Sequence, residues 1–404
     1  MDQQLLKPRK DLEFIPVQDQ GRDLIVIRDR FALVAKGFAI VPEVYHFLYL
    51  LDAVEDVHEL QAELSRQSGG QRVTQEEIKH IIRNLDQAFL LDSERFRSAR
   101  EACKTRFVSQ KTRPAALAGE SYPAEPGALR KQLDGMLSGS VIQRQSGRAV
   151  KGIVAPHIDF SVGGKGYGEA YACIQETRVD RVLVLGTGHQ MEHGLYALTE
   201  KSFETVFGLL PVDRAAVLAL KQSGGKLLSE SDFEHLHEHS IEFQTLFLKH
   251  LEQKADLQMI PILCGSLWGF LPEYSRQAFL EAAGPFLESL RALASQEGVL
   301  VLAGVDFSHI GPKFGHQESA IQIESKAQEH DYALLAALCS HDPDTFWRIS
   351  KEVNDCYNVC GFSALATFLE ILPESKGELL HYEMWHEQAT RSAVSFAAAA
   401  FSML

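Results

Sequence analysis

Four apolar runs that do not alternate with polar residues constrain this chain more than any other feature. They are Gly152-Ile153-Val154-Ala155, Val182 to Leu185, the "MIPIL" of "ADLQMIPILCG", and Val299 to Ala303. A strand with one wet face alternates, so runs of this kind belong to strands covered on both faces, and they predict an α/β sheet flanked by helices. In such sheets ligands bind just beyond the carboxyl ends of the strands. Three of the runs deliver an imidazole to that edge. "KGIVAPHIDF" ends in Pro156-His157, "DRVLVLGTGHQ" in His189, and "EGVLVLAGVDFSHIG" in Asp306, Ser308 and His309. Glycine near each permits close backbone approach. A single loop histidine is ordinarily a structural residue, but the repeated placement predicts that His157 and His189 share one pocket.

"HLHEHSIEFQTLFLKH" adds His235, His237 and His239 on alternate residues. From Ser240 onward apolar residues lie around much of a helix, which predicts a buried helix. Glu238 and His239 stand at its N-terminal edge, where a histidine can act as a general acid or base and a carboxylate can be oriented. His235 and His237 read as solvated loop residues. "GGKGYG" (163–168) lacks the Lys-Ser/Thr of a phosphate-binding loop and reads as a loop that lets the pocket close. Cys356 and Cys360 match neither a redox pair nor a zinc ribbon. Both read as structural, although one of the two could line the pocket. "RSAVSFAAAAF" reads as a small-residue strand without chemistry.

The first hundred residues have a different character. "LEFIPVQDQGRDLIVIRDRF" reads as a hairpin turning at Asp19-Gln20-Gly21. Three helical stretches follow, the last opened by a Thr74-x-x-Glu77 capping box before Ile78, Ile81, Ile82 and Leu85, and Phe89-Leu90-Leu91 closes the set. The expected organisation is a small winged-helix-like domain (1–97), a charged linker (98–115) and the α/β domain (116–404). A formal charge of −14 argues against a nucleic-acid surface. The N-terminus does not read as a signal peptide, and no apolar run reaches the ~18 residues of a membrane span. Six cysteines do not form a disulfide framework, so the expected compartment is the cytoplasm.

Taken in order, "AGESYP", "VAPHIDFSVGG", "LGTGHQ", "HEHSIEFQ", "IPILCG" and "VDFSHIG" resemble the MEMO1 family, whose bacterial and archaeal members are called AmmeMemoRadiSam system protein B. That resemblance implies a fold similar to the LigB-type class III extradiol dioxygenases, in which two histidines and a glutamate hold non-haem iron. It places His157 and His189 at the family's imidazole positions and His239 at an acid–base position. It puts the third ligand in "DFSH", where animal relatives carry cysteine and this chain has Ser308. Serine is a poor ligand for Fe(II), Cu or Zn, so Asp306 or His309 are the substitutes; equally, Asp306 could cap a turn and His309 could support another ligand. Cys360-Gly361 matches a cysteine-glycine of the family near the pocket. Residues 10–95 are similar to PqqD-type peptide-recognition domains. The implied partners are a radical-SAM protein, an AMMECR1-like protein and a peptide at the N-terminal domain. Two functions stay open: a metal-dependent, dioxygenase-like enzyme, and a non-catalytic peptide-binding adaptor without a metal.

Overall fold

A computed structural model describes residues 5–19, 21–29, 31–67, 73–140, 149–252 and 256–403. Two compact units are formed, Met1–Ser109 with Gln388–Thr390, and Gln110–Glu387 with Arg391–Leu404.

In the first unit, β1 (Leu12–Asp19) and β2 (Arg22–Asp29) pair antiparallel from Leu12↔Asp29 to Asp19↔Arg22, as the hairpin reading expects; Gln20 of the turn lies outside the described residues. A short β3 (Ala39–Ile40) adds to β2. Three helices follow, α1 (Pro42–Ala53), α2 (Val57–Gln67) and α3 (Gln75–Gln87). Thr74 and Glu77 make the reciprocal capping box, and α3 buries Ile78 and Leu85. Lys7 donates to the Leu51 and Asp52 carbonyls at 3.2 Å each, satisfying acceptors at the end of α1 that have no partner within the helix. The expected closing strand is reduced to one bridge between Leu91 and Pro8.

The segment read as a linker instead forms α4 (Glu94–Ser109), a helix that ends only at Ser109. Its charged sequence hides it, because only Phe96 and Phe107 are buried. Phe96 lies 3.9 Å from the guanidinium carbon of Arg9. Arg9 is itself buried and paired with Asp11 at 2.7 Å and Asp29 at 2.6 Å. One cation held by two carboxylates and an aromatic face therefore anchors the helix.

The second unit begins with β4 (Thr112–Arg113) and α5 (Pro126–Ser138), then β5 (Val150–Ala155), α6 (Phe160–Ala172), β6 (Arg181–Thr187) and β7 (Tyr196–Leu198). It continues through β8 (Ser202–Thr205), β9 (Gly208–Leu210), α7 (Arg214–Gly224), α8 (His239–Leu251), β10 (Gln258–Cys264), α9 (Leu267–Phe270) and α10 (Arg276–Ala294). The remainder is β11 (Val299–Gly304), β12 (His309–Ile310), α11 (Ala320–Cys339), α12 (Pro343–Glu352), α13 (Phe362–Ile371), β13 (Ser375–Glu387) and β14 (Ser392–Met403).

The large sheet runs β12-β14-β5-β11-β6-β10-β7, with β13 on β14. The four non-alternating runs are its parallel strands β5, β11, β6 and β10, and they lie side by side. The predicted small-residue strand is β14, antiparallel to β5, with Ala397, Ala398 and Ala399 fully buried. Both α8 and α13 pack on β6 and β11. "GGKGYG" is not a loop but the middle of α6. A Cβ on Gly168 would stand 2.2 Å from the Met136 carbonyl oxygen, so this glycine lets α5 lie directly against α6. Phe247 of α8 stacks on Tyr171 and Tyr167 of α6 at 4.4 and 5.3 Å. Burying each such ring stabilises the unit by about 1.5–3 kcal/mol. Among the described residues no helix is long and apolar enough to cross a membrane.

Candidate functional site

Parallel pairing puts the carboxyl ends of β5, β11 and β6 on one edge, and the loops after them bring His157 and His189 together with ring centroids 4.9 Å apart. His239 opens α8 and completes the cluster, 5.0 Å from His157 and 4.7 Å from His189, its ring nearly parallel to the latter at 15°. The first turns of α8 are fastened to both strand ends. Ser240 Oγ donates to the Thr187 carbonyl at 2.8 Å, and Gln244 Nε2 donates to the Pro156 carbonyl at 2.9 Å. Gln244 is held in turn by the Tyr171 hydroxyl, 2.7 Å from its Oε1. These buried side chains translate the packing of a helix into the positions of three imidazoles.

A fourth group joins them. Cys360 Sγ lies 3.4 Å from His157 Nε2, and atoms of His157, His189 and Cys360 that could hold a metal ion all fall within 4.8 Å of one another. The same separation holds for His189, Glu238 and His239. Nδ1 of His157 donates to the Gly304 carbonyl at 3.0 Å, which leaves Nε2 facing the thiol. His189 Nδ1 sits 3.0 Å from Glu238 Oε1. Cys360 leaves a loop in which Asn354, Asp355 and Asn358 are all left-handed, with φ of 49°, 51° and 50°. Asn358 Nδ2 ties that loop to the carbonyls of His309 at 3.1 Å and Phe314 at 3.2 Å. A Cβ on Gly361 would stand 2.7 Å from the Asp306 carbonyl oxygen, so only glycine lets Cys360 approach this closely.

Burial disfavours the charged forms here, and the neighbours override it. Asp306 and Cys360 hold the His157 pKa up at about 9 despite desolvation. Burial likewise opposes a Cys360 thiolate, yet the charges of His157 and His309 and bonds from His157 and His189 bring its pKa well below the ordinary thiol value. Glu238 is buried, but the charge and hydrogen bond of His189, the charge of His239 and the Ser240 N–H push its pKa far below the usual carboxylate range. The cluster thus combines three imidazoles, a sulfur and two carboxyl groups, with burial pushing the Asp306 carboxyl up.

Three sequence expectations are corrected. Ser308 does not face the pocket: it is fully buried and its Oγ donates to Asp331 Oδ1 at 2.6 Å, in a group completed by Tyr382 and Ser395. His309 turns back to its own chain, with Nδ1 2.9 Å from the Phe307 carbonyl and its ring edge-on to Phe314, and belongs to neither ligand group. His235 is not a solvated loop residue. It is buried, its Nε2 lies 3.0 Å from the Ala197 carbonyl, and burial drives its pKa down to about 4.

Asp306 stands beside the site without joining either ligand group. Its Oδ1 accepts the His157 backbone N–H at 3.0 Å, and its Oδ2 is 3.5 Å from His157 Nε2. Cys360, read chiefly as structural, supplies the sulfur instead. Sequence reasoning also missed Arg113. This buried guanidinium pairs with Glu242 and donates to the carbonyls of His235 and Glu238 at 2.9 Å each. The Tyr122 hydroxyl of "AGESYP" bonds the same Glu242. An arginine opening an apolar domain was the available signal, since such a residue is rarely buried unpaired.

The chain is similar in sequence to known proteins over most of its length. A MEMO1 family protein from Aquifex aeolicus is 29% identical over 400 residues, covering 98% of this chain and all of the relative. MEMO1 family protein TTHA0924 from Thermus thermophilus is 26% identical over 84% of this chain and 96% of its own. Mbar_A1422 from Methanosarcina barkeri is 26% identical over 67% of this chain and 91% of its own. The crystal structure of uncharacterized protein JW3007 from Escherichia coli K12 gives a TM-score of 0.40 at 13% identity, over 62% of this chain and 98% of the other. Residues 113–400, which hold every residue of the cluster, match the family model described as Memo-like protein, and the chain belongs to that family.

Proposed function

We propose that the second unit holds a divalent transition metal on His157, His189 and Cys360, and that a small molecule or peptide is bound and acted on there. The observation that carries this reading is the way the ligand atoms are presented. Each histidine commits Nδ1 to a fixed partner, Gly304 or Glu238, which leaves Nε2 as its available nitrogen. Such outer partners are what a metal-binding imidazole needs. Two imidazoles and a thiolate suit iron, copper or zinc, and a buried carboxylate such as Asp306 balances charge beside them. When bound, the ion would polarise a substrate oxygen or a bound water. His239, half-exposed and 3.3 Å from Glu238 Oε1 through Nδ1, is placed to take up or release a proton at its ring. The dioxygenase-like reading rests on family resemblance, and the sulfur donor departs from its two-histidine, one-carboxylate set.

Elemental analysis of anaerobically purified protein tests the proposal. One equivalent of iron, copper or zinc is expected, with none in the His157→Ala/His189→Ala variant. Equal metal content in both proteins refutes it.

A second reading, a peptide-binding adaptor to a radical-SAM protein and an AMMECR1-like protein, draws support from the first unit. There α1 exposes Tyr45 at 41% and Tyr49 at 66%, and Phe14 of β1 packs on Tyr45 at 5.1 Å. A chain that stays metal-free after iron reconstitution but retains a peptide through that unit is the result that favours it.

A further inference from the structure

The structure assigns Glu238 a positioning role: we propose that its carboxylate holds the neutral His189 ring as the Nδ1–H tautomer and thereby leaves Nε2, the nitrogen on the side of His157 and Cys360, without a proton. The assignment rests on the metal reading for its consequence but not for its geometry. Glu238 is 4% exposed and caps α8. Its two oxygens accept hydrogen bonds from three N–H groups, and the His239 ring stands close by. Oε1 lies 3.0 Å from His189 Nδ1, 3.0 Å from the Ser240 nitrogen and 3.3 Å from His239 Nδ1. Oε2 lies 3.0 Å from the His189 backbone nitrogen and 3.2 Å from its Nδ1.

An ionised carboxylate can only accept, so the ring nitrogen facing it must carry the proton. The main-chain bond from His189 to Oε2 fixes the residue's backbone at the same time, which removes the freedom to swing the ring away. Behind it, the buried Arg113 grips the Glu238 carbonyl at 2.9 Å. The two histidines differ in this respect. The tautomer of His157 is set by a main-chain carbonyl, Gly304, whereas that of His189 depends on a side chain. The same Oε1 also reaches His239, so one carboxylate aligns a ligand and the neighbouring acid–base group.

Glu238→Gln tests this with little change of shape. A carboxamide has one accepting oxygen, so its NH2 must face donors that the carboxylate accepted. With the NH2 in the place of Oε1, His189 relieves the clash at its ring by presenting Nδ1 as an acceptor and moving its proton to Nε2, the nitrogen the metal needs; the contact with the Ser240 N–H is left unrelieved. In metal-free protein at alkaline pH, ring-nitrogen NMR shifts are expected to show His189 as Nδ1–H in the wild type and as Nε2–H or a mixture in Glu238→Gln. Co(II) affinity, read from thiolate-to-cobalt absorption, is expected to fall about 10–100-fold. Glu238→Asp, which keeps the acceptor-only chemistry, should restore the tautomer. An unchanged tautomer in Glu238→Gln overturns the assignment, as does a variant that loses stability alone and leaves Glu238 a simple helix cap. A shifted tautomer in a chain that takes up no Co(II) or Zn(II) even as wild type supports the Glu238 role and refutes the metal reading instead.

Discussion

Ser308→Ala separates the two places where this serine could act. Family resemblance puts a metal ligand near Ser308, while the structure commits its hydroxyl to Asp331 at 2.6 Å. Asp331 is fully buried and is held by three hydroxyls, those of Ser308, Ser395 and Tyr382. Burial raises its pKa from 3.8 to about 6, and the hydroxyls moderate that rise. The native state therefore binds this proton more tightly than the unfolded chain. Its contribution to stability is complete below the unfolded pKa and is lost as pH climbs through about 6. Above that pH the carboxylate is ionised and depends most on its donors. Removing one charge-assisted hydrogen bond there costs about 1.5–3 kcal/mol, whereas a bond to the protonated acid is worth about 1 kcal/mol. Ser308→Ala should accordingly be destabilising by about 2 kcal/mol at pH 8 and by about half as much at pH 5. Urea unfolding followed by tryptophan emission reads the relevant unit alone, because Trp268, Trp347 and Trp385 all lie in it. Metal content should equal that of the wild type. Lost metal with unaltered stability would place Ser308 back in the pocket and refute this reasoning.

On the proposed metal reading, Cys360→Ala should leave the protein without metal by elemental analysis, while Cys356→Ala, at an exposed position in the same loop, should match the wild type. Arg113→Met leaves Glu242 buried without its cation and should cost about 3–5 kcal/mol in urea unfolding. Adding Glu242→Gln should recover part of that loss; a purely additive double variant would show that the two side chains do not act as a pair. Asn358→Ala forces a Cβ-bearing residue without local hydrogen bonds into the left-handed region and removes two bonds to carbonyls, a loss of about 1–2 kcal/mol. Asn358→Gly should recover roughly 1 kcal/mol of backbone strain. If the two variants unfold at the same urea concentration, the loop is not strained there.

The sheet was legible because strands buried on both faces leave an unbroken apolar run, and all four such runs became neighbouring parallel strands. His157 and His189 were legible for the same reason, since the carboxyl end of a buried strand is a position that sequence marks. Cys360 follows no strand. It arrives from a loop shaped by three left-handed residues and by Asn358, whose partners are the His309 and Phe314 carbonyls some forty positions away. Nothing local to "NDCYNVCG" encodes those partners, so the sulfur looked structural. Ser308 misled in the opposite sense. It sits in the strand-end segment that promises a ligand, but the segment hydrogen-bonds to Ser395 of β14, and Asp331 of α11 takes its hydroxyl. The readable clue lay on the helix: Asp331 stands directly before the apolar stretch of "HDYALLAALC", and a carboxylate buried there must find donors. His235 follows the same logic, for Phe233–His235 is a single tight turn that rolls the ring inward onto the Ala197 carbonyl. At strand ends, then, sequence locates the backbone of the chemistry, and which side chain turns inward is settled by hydrogen-bond partners remote in the chain. For Ser308 that partner is Asp331 on the covering helix, and the pair takes the serine out of the pocket.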